Sequence, residues 1–325
     1  MIRTVTLSTG SRLHFGPLSY RPAEGRHFGG VGLMIDEPGC EIVMTRSTQD
    51  DVTGETTVLD RVRRFVARTR VQSPADRPPP CRINVVRSIP PHAGLGSGTQ
   101  LGLAVARGLA EISGEPEVSV ETLAARVERG RRSAVGLYGF AAGGLIVDAG
   151  KRAGDDIGTL ACRLEFPAHW RVMLLTPSHG RPGLSGHSEE QAFARLGSMP
   201  AALADRLCRI VLTELLPAVR SANFDDFSEA VFDYGSRVGE FFRSVQGGTF
   251  GDSQTDELIR QLTRHGARGV GQTSWGPTLF AFVASARQGE ELAERIAKEG
   301  TTGLKSCAVR MVAPKNTGAT VTVID

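Results

Sequence analysis

The cysteines of this chain are not spaced to hold a metal or to build a disulfide framework. Cys40, Cys81, Cys162, Cys208 and Cys307 are odd in number and far apart, with no Cys-x-x-Cys and no His/Cys ligand pattern. This excludes structural zinc and predicts a reduced, cytoplasmic protein; haem is not expected either. Long apolar runs are missing too. The longest nearly uncharged stretch, Ser88 to Ala106, holds two prolines and four glycines and is no membrane span. Met1 to Ser8 alternates as a strand does and lacks the apolar core of a signal peptide. Internal repeats and low-complexity segments are absent. Charge excess is small: +3 over 325 residues argues against nucleic acid as a partner. Charged residues at 22 % and hydrophobic ones at 40 % describe an ordinary globular protein, long enough for two domains with cores of their own.

What is present is glycine, 39 residues of it, gathered in a few segments. The organising stretch is Arg82 to Gly114. Ile83, Val85 and Val86 read as a strand, which Pro90–Pro91 ends because proline has no ladder donor. Gly94, Gly96 and Gly98 alternate through a loop, and Leu101, Val105, Leu109 and Ile112 follow at helical spacing. A glycine loop entering a helix start leaves amide groups aimed outward where the dipole favours an anion. Phosphate binding is therefore expected, against the plainer reading of a tight turn. The loop is not a P-loop, which needs Lys-Ser/Thr where Thr99–Gln100 stand, nor a dinucleotide fingerprint, which needs glycine in place of Thr99.

Along the chain, Thr4–Leu7, Ser11–Gly16 and the glycine-hinged Arg26–Asp36 read as strands, with Glu41–Thr45 as another. Arg12 and Arg26 beside flexible backbone make a plausible anion grip. Arginine far outnumbers lysine, which suits bidentate grips on phosphate or carboxylate. Val58 to Val71 reads as a helix whose arginines, Arg61 to Arg68, form a solvated face. Asp50-Asp51-Val52-Thr53-Gly54 imitates a phosphoribosyltransferase loop but follows no buried strand, so a surface turn is expected. Ser119 caps a helix to about Glu128, and a glycine turn at Gly143–Gly144 enters a strand ending in Asp148. Glu165 to His169 is the expected domain junction. In Gly183-Leu184-Ser185-Gly186-His187 the second glycine of a nucleophile elbow is missing. His179 and His187 are poorly spaced for metal. Helices over Ala201–Val219, Phe224–Phe242, Thr255–His265 and Gly289–Glu299 surround strands at Trp170–Leu175, near Leu279–Val283 and at Cys307–Val312. That order suits a ferredoxin-like second domain.

The loop Gly94-Leu95-Gly96-Ser97 after Pro90 or Pro91 resembles the Pro-x-x-x-Gly-Leu-Gly-Ser-Ser loop of the galactokinase, homoserine, mevalonate and phosphomevalonate (GHMP) kinase superfamily. Two kinase parts are missing: the second serine is Gly98, and the catalytic aspartate falls on Gly136 or Leu137. The departures match one branch. With Ser11-Arg12-Leu13-His14, Arg26 before Gly29–Gly32, Gly-Ser-Gly-Thr-Gln at 96–100, Gly130–Ser133, Gly183–Glu189 and Gln272–Pro277, the chain resembles the β-ribofuranosylaminobenzene 5'-phosphate synthases.

The resemblance implies an α+β, two-domain GHMP-kinase-like fold, with an N-terminal ribosomal-protein-like α/β domain over 1–167 and a C-terminal ferredoxin-like domain over 168–325. It implies condensation of phosphoribosyl pyrophosphate with 4-aminobenzoate or 4-hydroxybenzoate, releasing CO2 and pyrophosphate, in tetrahydromethanopterin synthesis. Arg26, Arg12 and His14 would be catalytic, and Gly94, Leu95, Gly96, Ser97, Gly98, Thr99 and Gln100 would hold phosphate. Gly30, Arg132, Ser133, Ser185, Glu189, Gln272 and Ser274 would complete the substrate site. Mg2+ is expected with the pyrophosphate, its ligands open, and a homodimer is open too. The alternatives are an ATP-dependent small-molecule kinase of the same superfamily, with Asp148 as its acid, and a non-catalytic nucleotide- or phosphosugar-binding protein.

Overall fold

The computed structural model describes residues 3–73, 78–178, 183–184 and 186–324. The first half contains β1 (Thr4–Gly16), β2 (Gly30–Arg46), β3 (Asp51–Thr53), α1 (Thr56–Gln72), β4 (Cys81–Arg87), α2 (Ser97–Ile112), α3 (Val120–Arg126), α4 (Val135–Ala142), β5 (Leu145–Asp148) and β6 (Leu160–Leu164). Glycines expected to hinge separate strands instead sit inside two long ones. Gly10 lies at the bulge of β1, where a Cβ would meet the Ile35 carbonyl at 2.0 Å, so the chain passes close to β2 without breaking. β1 runs antiparallel to most of β2, whose other edge pairs first with β5 and then with β4. The segment Glu41–Thr45 is thus the second half of β2.

The helices on this sheet follow the apolar spacing. α1 turns Val58, Val62, Phe65 and Val66 inward, and α2 is buried along most of its length, with Gly108 over Met44. Ser119 Oγ accepts from Thr122 N at the start of α3, as its capping residue type predicts. The acidic pair at Asp50–Asp51 is structural: Asp50 takes both Nη groups of Arg70 and the Cys81 amide, and Asp51 opens β3.

The second half contains β7 (Arg171–Pro177), α5 (Gly186–Arg195), α6 (Ala201–Ile210), a π-helical turn at Val211–Leu215, α7 (Leu216–Arg220), α8 (Phe224–Gln246), α9 (Ser253–Arg264), β8 (Arg268–Gln272), β9 (Leu279–Val283), α10 (Ala286–Glu299), α11 (Thr302–Lys305), β10 (Cys307–Val312) and β11 (Thr320–Ile324). Four strands in the order β10-β7-β9-β8, all antiparallel, make the ferredoxin-like sheet. The boundary at 168–325 needs one correction. β11 leaves this domain and pairs with β1, Thr4 opposite Ile324, so the final strand completes the first sheet. The expected junction is no loose linker either: Phe166 and Trp170 are buried and pack with Phe227 and Phe282 in a core shared by both halves.

Candidate active site

The loop between β4 and α2 is shaped by its glycines. Gly94 and Gly96 have φ of +76° and +78°, which side-chain-bearing residues adopt only under strain. At Gly94 a Cβ would lie 2.3 Å from the Thr273 carbonyl, and at Gly96 it would lie 2.9 Å from Arg12 Cγ. Arg12 is built into the loop: its amide donates to the Leu95 carbonyl at 3.1 Å and its Nη1 to the Gly94 carbonyl at 2.7 Å. Thr273, from the turn between β8 and β9, donates to the same carbonyl at 2.9 Å and accepts from the His14 amide at 3.0 Å. The two halves therefore meet at this loop.

Beside it opens a cavity of about 440 Å³. Arg12, His14, Arg68, Arg129, Arg132 and Ser133 form its polar wall. Phe28, Phe193, Phe242 and Trp275 form the apolar one. His14 is buried, with Nε2 3.0 Å from Ser133 Oγ. Burial, reinforced by the charge on Arg12, pulls its imidazole down to about 3, so the ring is neutral at physiological pH. Burial also lowers the Arg12 guanidinium to about 10, opposed by Glu189, and it remains a cation. The lining carboxylates are all engaged. Arg132 pairs with Glu189 and with Glu190 at 3.6 Å, and its guanidinium stands over the Phe193 ring. Trp275 Nε1 donates to Glu189 at 3.0 Å, and Glu128 is held by Arg68 at 3.2 Å.

Most expected site residues gather here. Gly30 packs behind His14, where a Cβ would meet the Gly16 carbonyl at 2.8 Å and His14 Nε2 at 3.0 Å. Ser274 lines the cavity and donates its amide to the His14 carbonyl. Gln272 lines it with a buried Oε1 that finds no partner. Thr99 faces inward, while Ser97 and Gly98 lie at the rim beside Arg61.

Others do not fit their expected role. Leu95 is a core side chain. Gln100 is buried with both ends used, accepting from Thr9 and donating to the Gly136 carbonyl, so it locks α2 to α4. Arg26 is outside the cavity lining, since its Nη1 donates to the Gly150 carbonyl and Thr159 Oγ1. Gly183–Glu189 is not a free loop; α5 begins at Gly186. Ser185 and His179 lie outside the described residues, as does the side chain of His187.

The expected solvated face of α1 holds for Arg63, Arg64 and Arg68, which are exposed, though Arg68 also lines the cavity; Arg61 is the correction, half-buried against Ser97. Arg61 stands one residue before Val62 and four before Phe65, at the edge of the apolar stripe; that phase was the available signal. Thr273, Trp275, Phe193 and Arg129 were also missed as individuals, for their neighbours come from distant segments.

Asp148 is not poised as a kinase acid. Its carboxylate is fully buried and accepts from the amides of Ala134 and Gly150, and desolvation raises its pKa. At Gly136 a Cβ would face Thr99 and Arg12 at 3.4–3.6 Å, so the position aligned with the kinase acid does point at the site and carries no carboxylate. Among the described residues no three acidic, His or Cys groups cluster for a metal. The donor set present, carboxylates already paired with arginines, does not fit a protein-held Mg2+.

Two family models match, the GHMP kinases N terminal domain over 58–144 and the GHMP kinases C terminal over 215–302. A homoserine kinase from Cytophaga hutchinsonii has the same fold, with TM-score 0.67 at 15% identity, covering 98% of this chain and 97% of that one. Mevalonate diphosphate decarboxylase from Enterococcus faecalis superposes with TM-score 0.66 at 14% identity, covering 99% of both. Curated relatives are more specific. β-Ribofuranosylphenol 5'-phosphate synthase of Methanothermobacter thermautotrophicus is 30% identical over 304 residues, covering 87% of this chain and 90% of its own. The enzyme of that name from Archaeoglobus fulgidus is 30% identical over 332 residues, covering 98% and 99%. With its glycine loop, arginine-walled cavity and missing kinase acid on a GHMP scaffold, the chain belongs to the β-ribofuranosylphenol 5'-phosphate synthase family.

Proposed function

We propose that this enzyme condenses phosphoribosyl pyrophosphate with a 4-substituted benzoate, releasing pyrophosphate and CO2, as a step of tetrahydromethanopterin synthesis. The observation that carries the reading is one cavity with a cationic wall at the glycine loop and an aromatic wall opposite. The relatives' name puts a phenol in the product, which favours 4-hydroxybenzoate over 4-aminobenzoate. Five unpaired thiols suit the reducing cytoplasm as its location.

The chemistry asks little of a base. The bond from C1 of the ribose to pyrophosphate breaks, its electron pair leaving with the oxygen. The ring carbon bearing the carboxylate, made electron-rich by its para substituent, forms the new bond to C1. The bond to the carboxylate then breaks, its electrons restore the aromatic ring, and CO2 departs. No net proton is gained or lost.

Such a path is accelerated by positive donors where charge develops on the leaving group, and the loop amides with Arg12 supply them. Phe193, Phe242 and Trp275 offer the face on which an aryl ring stacks. His14, neutral, fixes Ser133 by hydrogen bonding and supplies no charge. Mg2+ would arrive on the pyrophosphate as part of the substrate complex. A kinase lacks its acid here, since Gly136 faces the site and Asp148 is spent on backbone amides.

Carboxyl-labelled 4-hydroxybenzoate, phosphoribosyl pyrophosphate and Mg2+ should yield labelled CO2 in step with pyrophosphate. ATP with homoserine or mevalonate should not be consumed. Absence of labelled CO2, or robust ATP-dependent phosphorylation, would overturn the reading.

A further inference from the structure

At the rim of the cavity two arginines from different segments converge on the side chain that Gly98 does not have. A Cβ there would lie 3.0 Å from Arg61 Nη2 and 3.4 Å from Arg129 Nη2. Arg61 comes from α1, and Arg129 follows α3. Neither has an ion-pair partner among the described residues. Among the described residues Arg61 reaches Ser97 Oγ at a marginal 3.5 Å and nothing else, and the Arg129 side chain has no hydrogen bond, its Nε being buried and unmatched. What positions Arg129 is the Phe65 ring, 5.2 Å from its Cζ. Glu128, whose charge acts on Arg129, is held by Arg68.

Two half-buried like charges without a counter-ion are costly. Their guanidinium pKa values are lowered, first by burial and then by neighbouring arginines. Between them begins α2, where the Thr99 and Gln100 amides turn back to the Gly96 carbonyl. Ser97 and Gly98 open α2, so their amides have no carbonyl within the helix to bond.

We propose that Arg61 and Arg129, closing over Gly98, form the clamp for the pyrophosphate group of the ribosyl donor. This rests on the reading above and names where its leaving group sits. Pyrophosphate is favoured over a single phosphate because two uncompensated guanidinium charges suit the more highly charged anion, and their charge serves the group that departs. Glycine at 98 is then a specificity device, since any side chain would occupy the space the anion needs.

The test is calorimetric binding of inorganic pyrophosphate with Mg2+, beside ribose 5-phosphate, to the intact enzyme and to Arg61→Ala, Arg129→Ala and Gly98→Ala. Each variant's melting curve is recorded. Loss of either arginine should weaken pyrophosphate on the order of 30-fold or more, with ribose 5-phosphate within about twofold. The KM for the ribosyl donor should rise while that for the benzoate holds. Gly98→Ala, which removes no contact, should weaken pyrophosphate at native stability and covers the case in which an arginine variant misfolds. Unchanged pyrophosphate affinity in the folded variants, or a loss confined to ribose 5-phosphate, would overturn the clamp. Failure of the wild type to release labelled CO2 would instead sink the reaction assignment and leave this binding measurement intact.

Discussion

Burial of His14 has a consequence measurable without any substrate. Its imidazole binds a proton near pH 3 in the fold and near 6.5 when unfolded, so the unfolded chain alone takes up the proton between those values. This contribution to stability is fully present above pH 6.5 and is lost as pH falls toward 3, amounting to about 3 kcal/mol by pH 4. Urea midpoints from pH 7 to pH 4 should therefore fall more steeply for the wild type than for His14→Gln; parallel curves would count against it. Arg26 calls for a different prediction. Its guanidinium holds the Gly150 carbonyl and Thr159, next to the Phe28–Gly29 turn that lines the cavity. Arg26→Ala should cost roughly 1–2 kcal/mol of stability and affect turnover only through that turn. Native melting with lost turnover would place Arg26 in direct contact with substrate. From the sequence, Arg12 and Arg26 look alike, each a cation beside glycine backbone. What separates them is where the side chain is held: Arg12, inside β1, reaches the Gly94 carbonyl, whereas Arg26, ahead of β2, reaches the Gly150 carbonyl, and spacing along the chain records neither.

Among the elements, the loop and α2 were legible because a proline pair, alternating glycines and helical apolar spacing are all local signals. β1 and β2 were read as fragments because glycine in a strand marks either a break or a close approach, and only the partner strand tells which. β11 escaped for a related reason: Thr320–Ile324 alternates well, but its partner lies at the opposite end of the chain. The glycines of the loop are not equivalent either. Gly96→Ala would force a Cβ onto Arg12 from a left-handed backbone, costing about 1–2 kcal/mol and displacing the arginine. The protein should stay folded with a raised KM for phosphoribosyl pyrophosphate. Gly94→Ala meets the Thr273 carbonyl, which cannot swing aside, so it should melt markedly lower than Gly96→Ala. Equal melting temperatures would argue that the loop is softer than its contacts suggest.

For the molecule as a whole, the cavity lies where the halves meet, and buried polar contacts join them beside it. Thr273 Oγ1, fully buried, accepts from the His14 amide and donates to the Gly94 carbonyl. Tyr234 reaches across from α8 to the Gly16 carbonyl. Thr273→Val keeps the shape and strands the His14 amide, which should cost on the order of 2 kcal/mol and lower kcat/KM together with stability. One cooperative transition by fluorescence and circular dichroism is expected, because the core runs through the junction. Two separate transitions would show halves more independent than that core allows. The two-domain plan was readable from element order, but the cavity was not, since residues 12, 132, 193 and 275 meet only after folding. The pairing of β1 with β11 also ties folding to synthesis. β1 finds its outer neighbour only when Thr320–Ile324 emerge, roughly 15–60 s after it at ordinary elongation rates. Throughout that interval a nascent chain carries an open sheet edge available to any other strand. Polar Thr4, Thr6 and Ser8, alternating along that edge, are residues that can wait in water for their partner.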